Sequence, residues 1–182
     1  LWADATYPWD MLVLSRAVLG TGRIVHPEDS PSVHVAPSAS VHETAVLETP
    51  CVIGPDCEIG PGVALGPNVA VGRNVTIGAN ATIVDSLVDA DSRVGPGSTL
   101  IDCVTGQDVS LGAGTTVPGG PAEVALGGRV FHSEDLGAVF GDRVQAGGAV
   151  TAEPGALVGP EAILESGVVV DGHVPRGARV VR

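Results

Sequence analysis

Aliphatic residues recur at every sixth position from Val35 to Ile83: Val35, Val41, Leu47, Ile53, Ile59, Leu65, Val71, Ile77 and Ile83. Four places after each of the first eight stands a second small or apolar residue, in order Ala39, Ala45, Cys51, Cys57, Val63, Val69, Val75 and Ala81. An even separation puts both positions on the same face of an extended segment, and that face is the predicted core. Between them the hexads place Gly (Gly54, Gly60, Gly66, Gly72, Gly78), often Pro (Pro37, Pro55, Pro61, Pro67), and then Gly or Asn (Gly62, Asn68, Asn74, Asn80). Pro presets a turn, and Gly or Asn tolerates the left-handed backbone that follows. The pattern predicts a short strand, a corner and a repeat, with three sides to each coil and parallel pairing between coils. A fixed short period of this kind signals an all-β solenoid.

Beyond Ile83 the period shifts. Ile83-Val-Asp-Ser-Leu and Leu100-Ile-Asp-Cys-Val are five-residue sides, so these two coils match at 17 residues and stack Asp85 with Asp102 and Ser86 with Cys103. Those aspartates read as polar residues of an exposed corner. Hexads stop over 117–139, read as an inserted loop, and resume at Phe140, Ala146, Ala152, Val158, Leu164 and Val170. A long insertion in a compact solenoid is commonly functional. The first residues break the pattern too. Pro8 to Leu19 is a helix candidate, with Pro near its first turn and Gly20 after its end, expected to cap the open end of the solenoid. The division expected is a linker helix and polar lead-in loop over 1–34 and the solenoid over 35–182. The chain starts at Leu1, which suggests a piece of a longer protein.

Composition changes this picture in two ways. Two Phe, two Trp and one Tyr would starve an ordinary globular core but suit a narrow coil filled with Val, Leu, Ile and Ala. Nine Arg, no Lys and 21 acidic residues give a net charge of -12, which repels nucleic acid and anionic membrane. Acid excess without lysine points to a salt-adapted, halophilic cytosol. Cys51, Cys57 and Cys103 form no C-x-x-C, and two of them hold core positions, as expected in a reducing cytoplasmic compartment.

The hexads resemble the hexapeptide-repeat family, whose fold is a left-handed parallel β-helix. The run Tyr7-Pro-Trp-Asp-Met-Leu resembles the P-W-D-L-L segment of archaeal sugar-1-phosphate nucleotidyltransferases, which leads from the nucleotidyltransferase domain into a C-terminal β-helix. The resemblance implies a homotrimer, and a nucleotidyltransferase domain in cis or in trans. It also implies acetyl-coenzyme A, bound between subunits for transfer to an amino-sugar 1-phosphate. The coenzyme would pass Gly148 and Ser166, and its phosphates would meet Arg176, Arg179 and Arg182.

In that family the general base is a histidine in an H-x-x-Y segment before D-S-x-x-G, and an asparagine follows G-A-G-T. Aligned on Asp102-Cys-Val-Thr-Gly and Gly112-Ala-Gly-Thr, this chain has Pro96, Thr99 and Gly119 at the three positions. Proline accepts no proton, so the family's base is absent. A relocated base would be His132, in the insertion near Glu134 and Asp135. His26, His34, His42 and His173 are weaker candidates. The zinc carbonic anhydrases of this fold need three converging imidazoles, and 51–130 contains no histidine, so no metal is expected. Two functions follow: a trimerisation or regulatory module without the acetyltransferase motif, or an acetyltransferase with a relocated base. Salt screens self-repulsion among the acids. The melting temperature should therefore rise between low and molar KCl, and a flat profile contradicts salt adaptation.

Overall fold

The computed structural model describes residues 5–21 and 33–182. His26 and most of the lead-in loop lie outside these residues. The chain winds into a left-handed parallel β-solenoid of about eight turns, with one short helix among the described residues. Three parallel sheets form its sides, with eight strands on the first and second sides and seven on the third. On the first side Val33 pairs with Cys51 and Cys51 with Val69, one 18-residue coil per step. Across the shortened sides Leu87 pairs with Val104, 17 residues on. Cys103 pairs with Ala138, so the insertion leaves the stack without breaking it.

The corners make the coil close. Asp56, Asn74, Asp91, Asp108, Arg143 and Glu161 have φ between 52° and 63° and stack at the first corner, between the first and second sides. Gly62, Asn80, Gly97, Gly114, Ala149 and Gly167 do the same at the second corner, with φ from 55° to 71°. Amides there bond from coil to coil, as in Gly97 N–H to Ala79 C=O at 2.9 Å and Ala149 N–H to Ala113 C=O at 2.7 Å. Inside, Ile53, Leu65, Ile77, Ile83, Leu100 and Phe140 are fully buried, each stabilising by roughly 1.5–3 kcal/mol. Buried hydroxyls bond to the backbone, Ser98 to Gly95 C=O at 2.8 Å and Thr115 to Gly112 C=O at 2.8 Å.

The helix spans Asp10–Gly20. Asp10 Oδ2 accepts the Thr6 and Tyr7 N–H groups at 2.9 and 2.8 Å, fixing how the chain enters the helix. The expectation that this helix caps an end of the solenoid is corrected, because it lies along the first side. The outward residues of that side include Leu87, Val104, Val139 and Leu157, and they need cover. Trp9 and Leu12 supply it, packing into a second apolar cluster with these residues and with Ala122, Val124 and Leu136.

The insertion is likewise more ordered than a loop. Ala122–Leu126 and Arg129–Glu134 form an antiparallel hairpin, turned through Gly127 and Gly128 at φ 59° and 77°. Its buried face joins the cluster on the first side, where Tyr7 and Trp9 stack at 4.8 Å and Phe131 meets both edge-on.

Candidate functional site

Two regions carry the predicted site residues. The second corner, between the second and third sides, is a column of short residues in contact from coil to coil. A Cβ on Gly78 would lie 2.6 Å from Pro96 N, and one on Gly147 would lie 2.5 Å from Ser166 Oγ. Gly114 N–H donates to Pro96 C=O at 2.9 Å, and Gly167 N–H to Gly148 C=O at 2.8 Å. Pro96, Gly148 and Ser166 are thus brought to one column, and Thr99 starts the strand that leaves it. Gly119, at φ 89°, lies apart at the root of the insertion.

At the end of this column a groove of about 710 Å³ is lined by Gln145, Gly147, Ile163, Ser166, Arg179 and Arg182, among others. Arg179 Nε donates to Glu165 Oε1 at 3.0 Å, and Arg182 Nε to Gly167 C=O at 3.2 Å. Arg176 is not part of the groove; it binds Glu161 at the first corner. The fit to a coenzyme A is partial. The groove offers two guanidiniums that could meet its phosphates, but a carboxylate, Glu165, already pairs with one of them and lines the same groove. No histidine lines it.

His132 stands elsewhere. It is on the outer face of the hairpin, on the side of the prism opposite the second corner, and its side chain is 67% exposed. Its Nδ1 is 2.8 Å from Glu123 Oε1. The partner is therefore across the hairpin, not Glu134 or Asp135 as the linear spacing suggests. The Gly127-Gly128 pair between alternating apolar residues was the signal for this, since a two-residue glycine turn marks a hairpin. His34 and His173 lie on strands of the first side. His42 Nδ1 lies 2.9 Å from Thr44 Oγ1 in the first coil. Among the described residues no cluster of three His, Cys, Asp or Glu is placed to hold a metal ion.

Sequence reasoning missed two charged networks. Asp85 and Asp102 stack as predicted by the 17-residue repeat, but not in the open. Arg16 of the helix bridges them, Nε to Asp85 Oδ1 at 2.9 Å and Nη2 to Asp102 Oδ1 at 2.6 Å, while the Asn68 amide donates to Asp85 Oδ1 at 2.8 Å. Burial pushes the Asp102 carboxyl up despite the Gly120 N–H and Arg16. At the first corner Glu161 accepts from Arg176 at 2.9 Å and Arg143 at 2.6 Å, and these two bonds pull its carboxyl down to about 2. No local pattern announces either network, because the partners lie a coil or more apart. All three thiols are buried, and burial pushes them up, Cys51 to about 12, so none is poised as a nucleophile.

With this geometry in hand, the family can be assigned. The GMPPB C-terminal domain, the C-terminal part of sugar-1-phosphate nucleotidyltransferases, matches residues 49–153, more than half of the chain. The chain belongs to the GMPPB C-terminal domain family. Its fold is also that of solved hexapeptide-repeat transferases. The polysialic acid O-acetyltransferase OatWY is 16% identical over 82% of this chain and 90% of its own, with a TM-score of 0.50. The UDP-N-acetylglucosamine acyltransferase of Francisella novicida is 17% identical over 80% of this chain, with a TM-score of 0.44, and the chain covers 62% of its length. The acetyltransferase domain of PglB from Neisseria gonorrhoeae, solved with acetyl coenzyme A, is 18% identical over 81% of this chain and 53% of its own, with a TM-score of 0.34. No curated protein matches. No described helix is long and apolar enough to cross a membrane.

The charged corner of this family member makes one testable statement about pH. A carboxyl depressed in the folded state adds stability above its ordinary range and loses it as pH falls. Glu161 is exposed, so its contribution is small and screened. In a side-chain NMR titration Glu161 should stay ionised to about pH 2, and Arg176→Ala should move its midpoint upward. A wild-type midpoint at the ordinary glutamate value would contradict the network.

Proposed function

We propose that this domain is a non-catalytic assembly and regulatory module of a sugar-1-phosphate nucleotidyltransferase-type protein. Family membership supports the assignment to nucleotide-sugar metabolism, with a nucleotidyltransferase domain as partner in cis or in trans. The observation that carries the non-catalytic reading is the column holding Pro96, Gly148 and Ser166. Where the resemblance calls for His, Tyr and Asn, the chain has Pro96, Thr99 and Gly119. None of these can accept a proton from an amine near neutral pH.

The assembly expected is a homotrimer. A cytoplasmic setting fits three unpaired buried thiols, and the acid excess fits a halophilic one. Neither nucleic acid nor membrane is a proposed partner of so acidic a chain.

A second reading keeps acetyl transfer and moves the base to His132, supported by its 2.8 Å approach to Glu123. Against it stand the exposure of that pair and its position on the side of the prism away from the Ser166 groove. The two are separated by calorimetric titration with acetyl-coenzyme A in high KCl, beside a thiol-release assay on glucosamine 1-phosphate. The expected outcome is no turnover. Turnover that disappears in His132→Ala would overturn the proposal in favour of the second reading.

A further inference from the structure

The helix does not cover the whole of the first side. Arg16 ties it toward the corner between the third and first sides, where Asp85 and Asp102 stack. The strip between the helix and the first corner stays open, and two hollows lie along it. One, of about 430 Å³, is lined by Ala70, Leu87, Val104 and Val139 and reaches Asp89 at the first corner. The other, of about 340 Å³, is lined by Val52, Ala70 and Leu87 and by Leu14 and Val18 of the helix. Met11, the one methionine of the chain, is 44% exposed and walls both. Together the hollows make an apolar trough along the flank of the helix.

Val52, Ala70, Leu87, Val104 and Val139 stand in register on five successive strands. Four steps of about 4.8 Å make the trough about 19 Å long. It crosses the strands, so a segment laid along it meets no strand edge. An extended peptide would gain no backbone hydrogen bonds there, whereas a helix satisfies its own and presents an apolar stripe. At 1.5 Å per residue, about 13 residues of helix fill the length. The rim toward the first corner is acidic. Asp89 opens onto the trough, and Asp91, Asp108 and Asp142 stand beside it, against Arg73 and Arg143. Arg143 is already held by Glu161 at 2.6 Å, and Arg73 lies 3.4 Å from Asp91.

We infer that this trough is the docking surface for an amphipathic helix of a partner protein, apolar where it meets the trough and basic along the edge that meets the first corner. The site continues an interface already present in the fold, since the chain's own helix packs on the same side. Charge selects the partner. An acidic rim on a chain of net charge -12 repels an acidic helix and attracts a basic one. A second copy does not offer such a helix. The charged residues of its described helix are Asp10 and Arg16, and Arg16 is already paired with Asp85 and Asp102. The flexible thioether of Met11 suits a wall that must adapt to the side chains of a partner. The inference goes beyond the assembly reading above and stands whether or not copies of the chain associate.

Fluorescence anisotropy tests this with the 182-residue chain and a labelled helical peptide of about 13 residues, with Leu at i, i+3, i+4 and i+7 and Lys elsewhere. The buffer is the lowest KCl at which circular dichroism shows the chain folded. A scrambled peptide of the same composition lacks the stripe. Ala70→Glu puts an acid in the middle of the trough, and Asp89→Asn/Asp108→Asn removes two acids from its rim. Glu43→Gln/Glu58→Gln removes two exposed acids elsewhere and is the control. If Ala70→Glu unfolds, Met11→Glu at the exposed wall replaces it. The expected result is saturable binding of the striped peptide, weaker by about tenfold for the scrambled one and by about fivefold in the trough and rim variants, with the control unchanged. No binding of the striped peptide overturns the inference. Equal binding of the two peptides, or equal weakening by the rim and control pairs, overturns it as well, since net charge alone would then govern. A folded trough variant that binds as the wild type does overturns the surface. Self-association of the wild type that Ala70→Glu abolishes, read by sedimentation, overturns it in favour of a second copy.

Discussion

From the second to the seventh, each coil of this protein rests on one backbone constraint, a residue held in the left-handed region at each corner. These corners bring strand over strand at about 4.8 Å, the spacing of parallel pairing. For an L-residue with a Cβ the left-handed conformation costs roughly 1–2 kcal/mol. The sequence meets that cost with Gly at 62, 97, 114 and 167, and with Asn or Asp at 56, 74, 80, 91 and 108. Where a residue with a Cβ stands at a corner, as at Arg143, Ala149 and Glu161, the stacked amides and the aliphatic core offset the cost. Function is confined to the outside of the corners and sides.

The outside is divided by chemistry. One side is apolar and is covered in part from within the chain by the helix and the hairpin. One corner is charged and cross-braced by Arg143, Glu161 and Arg176. The opposite flank has no charge through most of its length. This division explains why the residues of the sought acetyltransferase site do not converge. The column that holds Gly148 and Ser166 also holds Pro96, where the resemblance calls for a base, while among the described residues the imidazole paired with a carboxylate, His132, rides on the covered side. With Pro96, Thr99 and Gly119 at these positions the solenoid keeps its inward aliphatic core and its left-handed corners.

How much of this the sequence discloses follows from the range of each interaction. The core was legible because Val35 to Ile83 repeats at six, and the 17-residue coils because Asp85 and Asp102 repeat with their neighbours. Contacts between distant segments were not. Arg16 reaches Asp102 across 86 residues, and nothing near either residue signals the pairing. The helix was identified but assigned to an end of the prism, since its apolar surface says only that it must be buried. The first side decides where, through outward Leu87, Val104 and Leu157. The hairpin was legible in principle from Gly127-Gly128, and a reading tuned to hexads passed over it.

The corner constraint can be tested on two stacked residues of opposite kind. Ala149 pays for a left-handed backbone at φ 55°, and Gly114, the neighbour one coil away, does not at φ 70°. A Cβ at Gly114 would meet nothing closer than Ala149 Cα at 4.0 Å, so packing does not confuse the comparison. Melting of the two single variants should move in opposite directions. Ala149→Gly should raise stability and Gly114→Ala lower it, each by about 1 kcal/mol. Gly114→Ala that melts at or above the wild type would contradict the claim that the left-handed corners govern the fold.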